Sequence, residues 1–306
     1  MIPAANKNPS KSIYYIVVAG FVLTIHDGII KWISDTYPVH EIVFVRSCIA
    51  IIPILMIAHW RGGLRSLRTN RYFGHIIRSL FMFGTYLCFF LALSALPLAE
   101  TVSLFFFSPI FITILSVLFL KERVDLTSWI AVFAGFIGVL IMLNPGSEMV
   151  DPAAFLAILA ALLYAIGSIM TRNLGKTESG VSLTFYLMVV YIVSSSILAF
   201  ALNNTSFNSN SHPSLVFLFT PWQFPAPGDL LFFLSIGLLA SVGIYCLSQA
   251  YSKDEPSKIA PFEYLAVPLS VVWGYVVWND VLELRSIIGI ILIIGSGLYI
   301  LHGKRA

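Results

Sequence analysis

Runs of about twenty apolar residues alternate with short polar turns along nearly all of the 306-residue chain. Ten runs stand out, with soft edges: 12–33, 39–59, 72–94, 98–120, 127–144, 152–172, 180–202, 228–252, 256–278 and 285–302. A helix that crosses the hydrocarbon of a bilayer needs about 20 apolar residues. Lipid offers no partner to a backbone N–H or C=O, so each run predicts a spanning α-helix. The turns between runs are short. The exception is 203–227, rich in Asn and Ser with several prolines, which predicts a longer loop: an interfacial lid around Trp222, or a passive linker.

The apolar pattern repeats. A shift of 159 positions places Gly84 on Gly243, Tyr86 on Tyr245, Pro97 on Pro256 and Pro109 on Pro268. One deletion later, Glu122 meets Asp280, Leu126 meets Leu284 and Ser128 meets Ser286. The division this suggests is a tail at 1–11, a first repeat at 12–144 and a second at 152–302, the second interrupted by the loop 203–227. Five helices per repeat is an odd number, so the two repeats enter the membrane in opposite directions. Inverted repeats are a common architecture of carriers, with the solute near the midplane between them.

Charge supplies the direction. Lys7, Lys11, Arg61, Arg65, Arg68, Arg71, Lys121, Arg123, Arg172, Lys176, Lys253, Lys304 and Arg305 all fall on one side of a ten-span topology, leaving Arg285, with Lys31 near a helix end, on the other. Basic loops stay in the cytoplasm, so both termini are expected there and 203–227 outside. Charged residues make up 11% and apolar ones 58%, with mean hydropathy +0.89. A soluble surface needs about 25% charge, so the chain is expected to be solvated by lipid. The net charge of +3 gives no reason to expect nucleic acid. Cys48, Cys88 and Cys246 lie singly in apolar runs, without metal or disulfide spacing. Neither metal nor cofactor is expected. The N-terminal run is long, carries His26, Asp27 and Lys31, and lacks a small-residue cleavage site, so it reads as a retained span rather than a signal peptide.

The segments LPLAETVSLFFFSPIFITILSVLFLKERV at 96–124 and WIAVFAGFIGVLIML at 129–143 carry a family likeness. With Ser108-Pro109 as the break and Glu122 as the acidic turn, the chain resembles the EamA-type carriers of the drug/metabolite transporter superfamily, from about Ile13 to His302. The likeness implies an all-α protein of ten transmembrane helices in two inverted repeats, placed in a cell membrane, the bacterial inner membrane being the expected one. It implies transport of a small organic metabolite by alternating access, and a homodimer as one assembly. The last helix of each repeat is expected to serve packing, through Gly135, Gly138, Gly289, Gly295 and Gly297. Asp27, Lys31, Pro38 and Arg46 resemble a subgroup that includes riboflavin and S-adenosylmethionine carriers. The wider family also moves amino acids, nucleosides and choline-like cations. Glu263, where the first repeat has Leu104, departs from the pattern.

Ionisable groups inside a span cost roughly 2.5–3.5 kcal/mol each on insertion scales, which makes them the first candidates for solute contact. Asp27 is one; a pair with Lys31 one turn later is its structural alternative. Arg46 offers bidentate donors to a carboxylate or phosphate, or neutralises Asp27 or Glu41. Glu41, Arg78 and Glu100 read as anchors near span ends. Glu263 lies between Pro261 and Pro268, in a helix loosened by two missing donors; it binds a cation or substrate amine, or else is a carboxylic acid held protonated, or pairs with Lys258. Ser241, Tyr245 and Gln249 share a face of the eighth span, and Tyr86 sits at the matching place in the third. Tyr164, Ser168 and Thr171 share a face of the sixth; Thr101, Ser108 and Ile112, near Phe105, mark the fourth. The expected solute-binding set is Asp27, Arg46, Tyr86, Ser108, Tyr164, Tyr245, Gln249, Glu263, Tyr264 and Trp273, with Pro109, Pro261 and Pro268 as gating positions. Aromatic walls suit a flat or cationic ligand, so a zwitterionic, cationic or aromatic metabolite is expected. An intramembrane enzyme would need a nucleophile–base set or clustered histidines. Neither HExxH nor GxSxG occurs, and the six histidines are scattered.

Overall fold

The computed structural model describes residues 9–96, 98–122, 124–143, 151–202 and 212–278, with scattered residues between 284 and 299. The described elements are helical. In chain order they are α1 (Pro9–Ile33), α2 (Val39–Gly62), a 3-10 turn (Leu64–Leu67), α3 (Tyr72–Ala95), α4 (Leu98–Phe105), α5 (Ser108–Leu120), α6 (Leu126–Leu143), α7 (Pro152–Leu174), α8 (Gly180–Leu202), α9 (Pro213–Phe219), α10 (Leu230–Lys253), α11 (Pro256–Ile259), a 3-10 segment (Ala260–Leu265) and α12 (Ala266–Trp278).

Among the described residues, six helices are long and apolar enough to cross a membrane unaided: α1, α2, α3, α7, α8 and α10. The fourth and ninth spans are each broken. The fourth stops at Phe105 and restarts as α5, whose first turn holds Pro109 where no backbone donor is needed. The ninth runs through α11, the 3-10 segment and α12, because Pro261 and Pro268 each remove a ladder N–H and crowd the carbonyl four residues before. Shifting the first break, 106–107, by the repeat offset of 159 lands on 265–266, where the 3-10 segment gives way to α12. The Asp280 turn, Ser286, Arg285, Gly297, Pro97, Lys7, Arg123 and the C-terminal basic pair lie outside the described residues, as does most of the tenth span.

Helix pairing follows the repeat. The most extensive contacts are α3 with α7, α1 with α10, and α2 with α8. In spans these are third with sixth, first with eighth, and second with seventh. The first two pairs exchange under an inverted repeat and the third maps onto itself. The matched glycines mark it. A Cβ on Gly84 would lie 3.1 Å from a Leu163 methyl of α7, and one on Gly243 would lie 2.6 Å from a Leu23 methyl of α1. Large apolar side chains such as Phe73, Phe119, Phe155 and Phe200 point outward, where lipid rather than water meets them.

Both ends of the bundle are tied. At the end where α1 begins, Thr69 donates to Glu178 at 2.7 Å, Tyr186 donates to the Leu67 carbonyl at 3.0 Å, and Ser257 donates to Glu122 at 3.0 Å. At the other end α9 lies against α3, with Ser214 donating to the Leu91 carbonyl at 2.6 Å and Tyr37 to Asp229 at 2.7 Å. Trp222 stacks on His40, with ring centroids 6.0 Å apart, and Gln223 donates its backbone N–H to Glu41 at 3.0 Å. The segment from 212 onward is therefore tied down at α9, Trp222 and Gln223, with Glu41 as one anchor, although Phe224 between these ties stays exposed.

Candidate functional site

Between the two repeats lies a cavity of about 220 Å³. Residues from α1, α2, α3, α4, α7, α8, α10, the 3-10 segment and α12 line it. Pockets for drug-sized ligands measure about 300–1,000 Å³, so in this conformation the space suits a small metabolite.

Its polar groups form two poles. The first is Glu263, carried by the 3-10 segment. The phenols of Tyr164 and Tyr251 both donate to its Oε1, at 2.5 and 2.7 Å. Its Oε2 is buried and has no hydrogen-bond partner among the described residues. Lys258, the expected alternative partner, pairs with Glu255 at 2.5 Å instead. A 3-10 segment rotates about 120° per residue, not 100°, and so re-aims the side chain at the break.

The second pole is a chain from α1 to α2. His26 Nδ1 lies 2.8 Å from Asp27 Oδ1, and His26 Nε2 lies 3.1 Å from Arg46 Nη1. A guanidinium only donates, so Nε2 accepts; the assigned neutral tautomer then carries its proton on Nδ1 and donates to Asp27. Arg46 is 1% exposed and its carbon centre sits 4.2 Å from the Tyr86 ring centroid and 5.5 Å from that of Tyr191. Lys31 does not pair with Asp27. Its ammonium lies 3.4 and 3.3 Å from the carbonyls of Leu93 and Leu96, at the end of α3.

Aromatic rings join the poles without a gap. Tyr86 meets Phe90 at 4.4 Å, Phe90 meets Phe89 at 5.1 Å, Phe89 meets Phe105 at 5.1 Å and Phe105 meets Tyr164 at 5.3 Å. Arg78 also lines the cavity. It is not the span-end anchor the sequence suggests: it is fully buried, donating from Nε to Thr171 at 2.5 Å and from Nη1 to the Leu183 carbonyl at 3.0 Å.

Of the ten expected binding residues, Asp27, Arg46, Tyr86, Tyr164 and Glu263 come together on this cavity. The other five do not line it. Ser108 is buried at the first turn of α5. Tyr245 faces Tyr15 at 6.4 Å, on the flank between α10 and α1. Gln249 packs on Gly180 at the start of α8. Tyr264 lies over Gly135 of α6 and donates weakly to the carbonyls of Phe106 and Val132, at 3.4 and 3.3 Å. Trp273 lies against Phe21, outside the cavity. For α10 the reason is rotation. The face that meets the cavity is Ile244, Leu247, Ser248 and Tyr251; the polar stripe at 241, 245 and 249 is one residue, about 100°, away. The polar lining residues that the sequence did not single out include Tyr191, Tyr251, His26, Ser248, Ser270, Thr24 and Thr85. Only His26, the one histidine deep in a span, left a signal. Of the gating prolines, Pro109 opens α5, Pro261 lies within the 3-10 segment and Pro268 within α12. Among the described residues no three His, Cys, Asp or Glu side chains cluster to hold a metal ion.

Apolar helices in two inverted repeats, with a polar and aromatic cavity between them, define a multi-pass membrane transporter. The chain belongs to the EamA-like transporter family, whose model matches it twice, over residues 10–144 and 151–301. It is 27% identical over 297 residues to a riboflavin transporter of Vibrio cholerae serotype O1, covering 96% of this chain and 93% of that one. It is 26% identical over 306 residues to an S-adenosylmethionine uptake transporter of Rickettsia bellii, covering 97% of both. A solved crystal structure shares the fold with a TM-score of 0.75 at 16% identity, over 96% of each chain.

Proposed function

We propose that this transporter carries a small zwitterionic, cationic or aromatic metabolite through the central cavity, and that Glu263 contacts the solute. The observation behind this reading is the carboxylate itself: one oxygen held by two phenols, the other buried at the cavity without a partner. A buried acceptor left unsatisfied costs about 1–3 kcal/mol, more when charged, so a solute donor that pairs with it gains that amount back. The solutes named for the two relatives, riboflavin and S-adenosylmethionine, both carry flat heteroaromatic rings, which the ring wall between Tyr86 and Tyr164 would suit.

The repeats, divided as 12–144 and 152–302, rock about this site, and the proline breaks in the fourth and ninth spans are the flexible elements at the gates. Both termini lie in the cytoplasm and the membrane is the bacterial inner membrane. The solute leaves chemically unchanged. The deciding experiment is counterflow of radiolabelled solutes in proteoliposomes. Wild-type protein exchanges a solute saturably, and Glu263→Gln, folded by size-exclusion profile and melting, loses it by at least tenfold. Wild-type-like exchange in Glu263→Gln would remove this residue from the mechanism; a chemically altered solute would overturn the carrier reading.

A further inference from the structure

The guanidinium of Arg46 is fixed in place but only half used. Nη1 is engaged by His26. Nε and Nη2, the two donors along one edge of the plane, are buried and have no hydrogen-bond partner among the described residues. Its carbon centre lies 4.2 Å from the Tyr86 ring centroid, a cation–π contact that takes up neither of these N–H donors. The residue is 1% exposed yet lines the cavity. Two parallel N–H donors on one edge match the two oxygens of a carboxylate or phosphate. The Asp27 carboxylate does not take this place. It is held through His26 on the opposite side and balances the charge at a distance, so arginine can stay buried while its free edge waits for an anion.

At the other pole Glu263 Oε2 is an unused acceptor, and the ring contacts from Tyr86 to Tyr164 run between the two. We propose that the transported solute is amphoteric: an oxyanion bound bidentately on the Nε–Nη2 edge of Arg46, an ammonium or other N–H donor on Glu263, and a ring laid along the aromatic wall between them. This rests on the carrier reading and narrows its solute to compounds bearing both groups. A solute with only an amine leaves the arginine edge bare. One with only an acid leaves Glu263 bare. In each case a buried charged group stays unpaired, which is how a polar site rejects a near-isostere.

The test is a thermal-shift and equilibrium-binding panel on the purified full-length protein, built on phenyl, indole and purine rings. Each ring is presented with an amine at one end and a carboxylate at the other, with the amine alone, with the carboxylate alone, with a phosphate in place of the carboxylate, and as the uncharged parent. On at least one ring the compound carrying both groups should bind about 10- to 100-fold tighter than the amine or the acid alone, the range a charged hydrogen bond supplies. Arg46→Lys keeps the charge but loses the paired donors, and should abolish that preference in protein that still elutes as a folded, monodisperse peak. If the lysine variant does not fold, the ordering within the wild-type panel decides. Preference for the phosphate over the carboxylate identifies the oxyanion as phosphate and supports the site equally. Uncharged or amine-only compounds binding as tightly as the amphoteric ones, an unaltered preference in Arg46→Lys, or a blank across the panel would overturn it. Binding that follows the predicted order with no counterflow would sink the carrier reading and leave the oxyanion site standing.

Discussion

At the residue scale the cavity separates side chains that look alike in sequence. Tyr86 and Tyr245 occupy matching places in the two repeats, yet Tyr86 supports the Arg46 guanidinium while Tyr245 packs on Tyr15. A cation held over a ring gains about 0.5–2 kcal/mol, more when dry, and losing the ring also loosens the guanidinium. We therefore expect Tyr86→Leu to raise the KM for the transported solute at least fivefold, and Tyr245→Leu to leave it within about twofold, each normalised to folded protein. Equal effects would mean that α10 presents a different face. The charged residues follow the same lesson. Their presence inside spans is plain from the chain, but their partners are not. Asp27 takes His26 rather than Lys31, and Lys31 takes the open carbonyls at the end of α3.

At the element scale, helix ends and breaks carry the local code. Asp125 caps α6, its Oδ1 accepting from the Ser128 hydroxyl at 2.5 Å and the Ser128 N–H at 3.3 Å. These bonds, the hydroxyl foremost, hold its carboxyl below the usual aspartate range. A carboxyl lowered on folding stabilises the native state above its unfolded value, and that contribution is lost as pH falls through the folded one. Asp125→Ala should cost about 0.5–2 kcal/mol at pH 7, seen as a lower melting temperature. The gap to wild type should begin to narrow as pH falls below the unfolded value and close once it has fallen through the folded one; a gap unchanged throughout the acid range would mean the cap acts through packing instead. At the preceding turn Lys121 adopts φ 54°, closing α5 with its own N–H and that of Glu122 on the Ser116 carbonyl. The broken fourth and ninth spans were legible because proline acts locally. That the second break becomes a 3-10 segment aimed at Tyr164 and Tyr251 was not, since those phenols arrive from α7 and α10.

At the scale of the molecule, the repeat is the organising fact. Gly84 against Leu163 and Gly243 against Leu23 are equivalent contacts in the third–sixth and first–eighth pairs. Overpacking a well-filled contact costs typically 1–3 kcal/mol. Valine at either glycine should therefore lower the melting temperature, with Gly243→Val, the tighter site, losing more; a wild-type melt for both would mean these faces are loose. The proposed orientation has its own check. In intact cells, a membrane-impermeant maleimide should label a cysteine placed at the exposed Phe224 and spare one at Ser66. Labelling of Ser66→Cys alone would invert the topology.

The apolar runs, the inverted repeat, the family likeness and the broken spans were all determined by the sequence itself. Each is a local or periodic property: a span needs only length and apolarity, and a repeat needs only self-similarity. Which charged and aromatic residues share a cavity was decided by tertiary structure alone. A helix brings a new face forward with each residue, so a rotation of about 100° exchanged Tyr245 for Ser248 and Tyr251 on the cavity wall. The free edge of Arg46 and the free oxygen of Glu263 are likewise products of packing. Whether a donor or acceptor is left over depends on every neighbour brought to it from other helices, and no stretch of the chain contains that information.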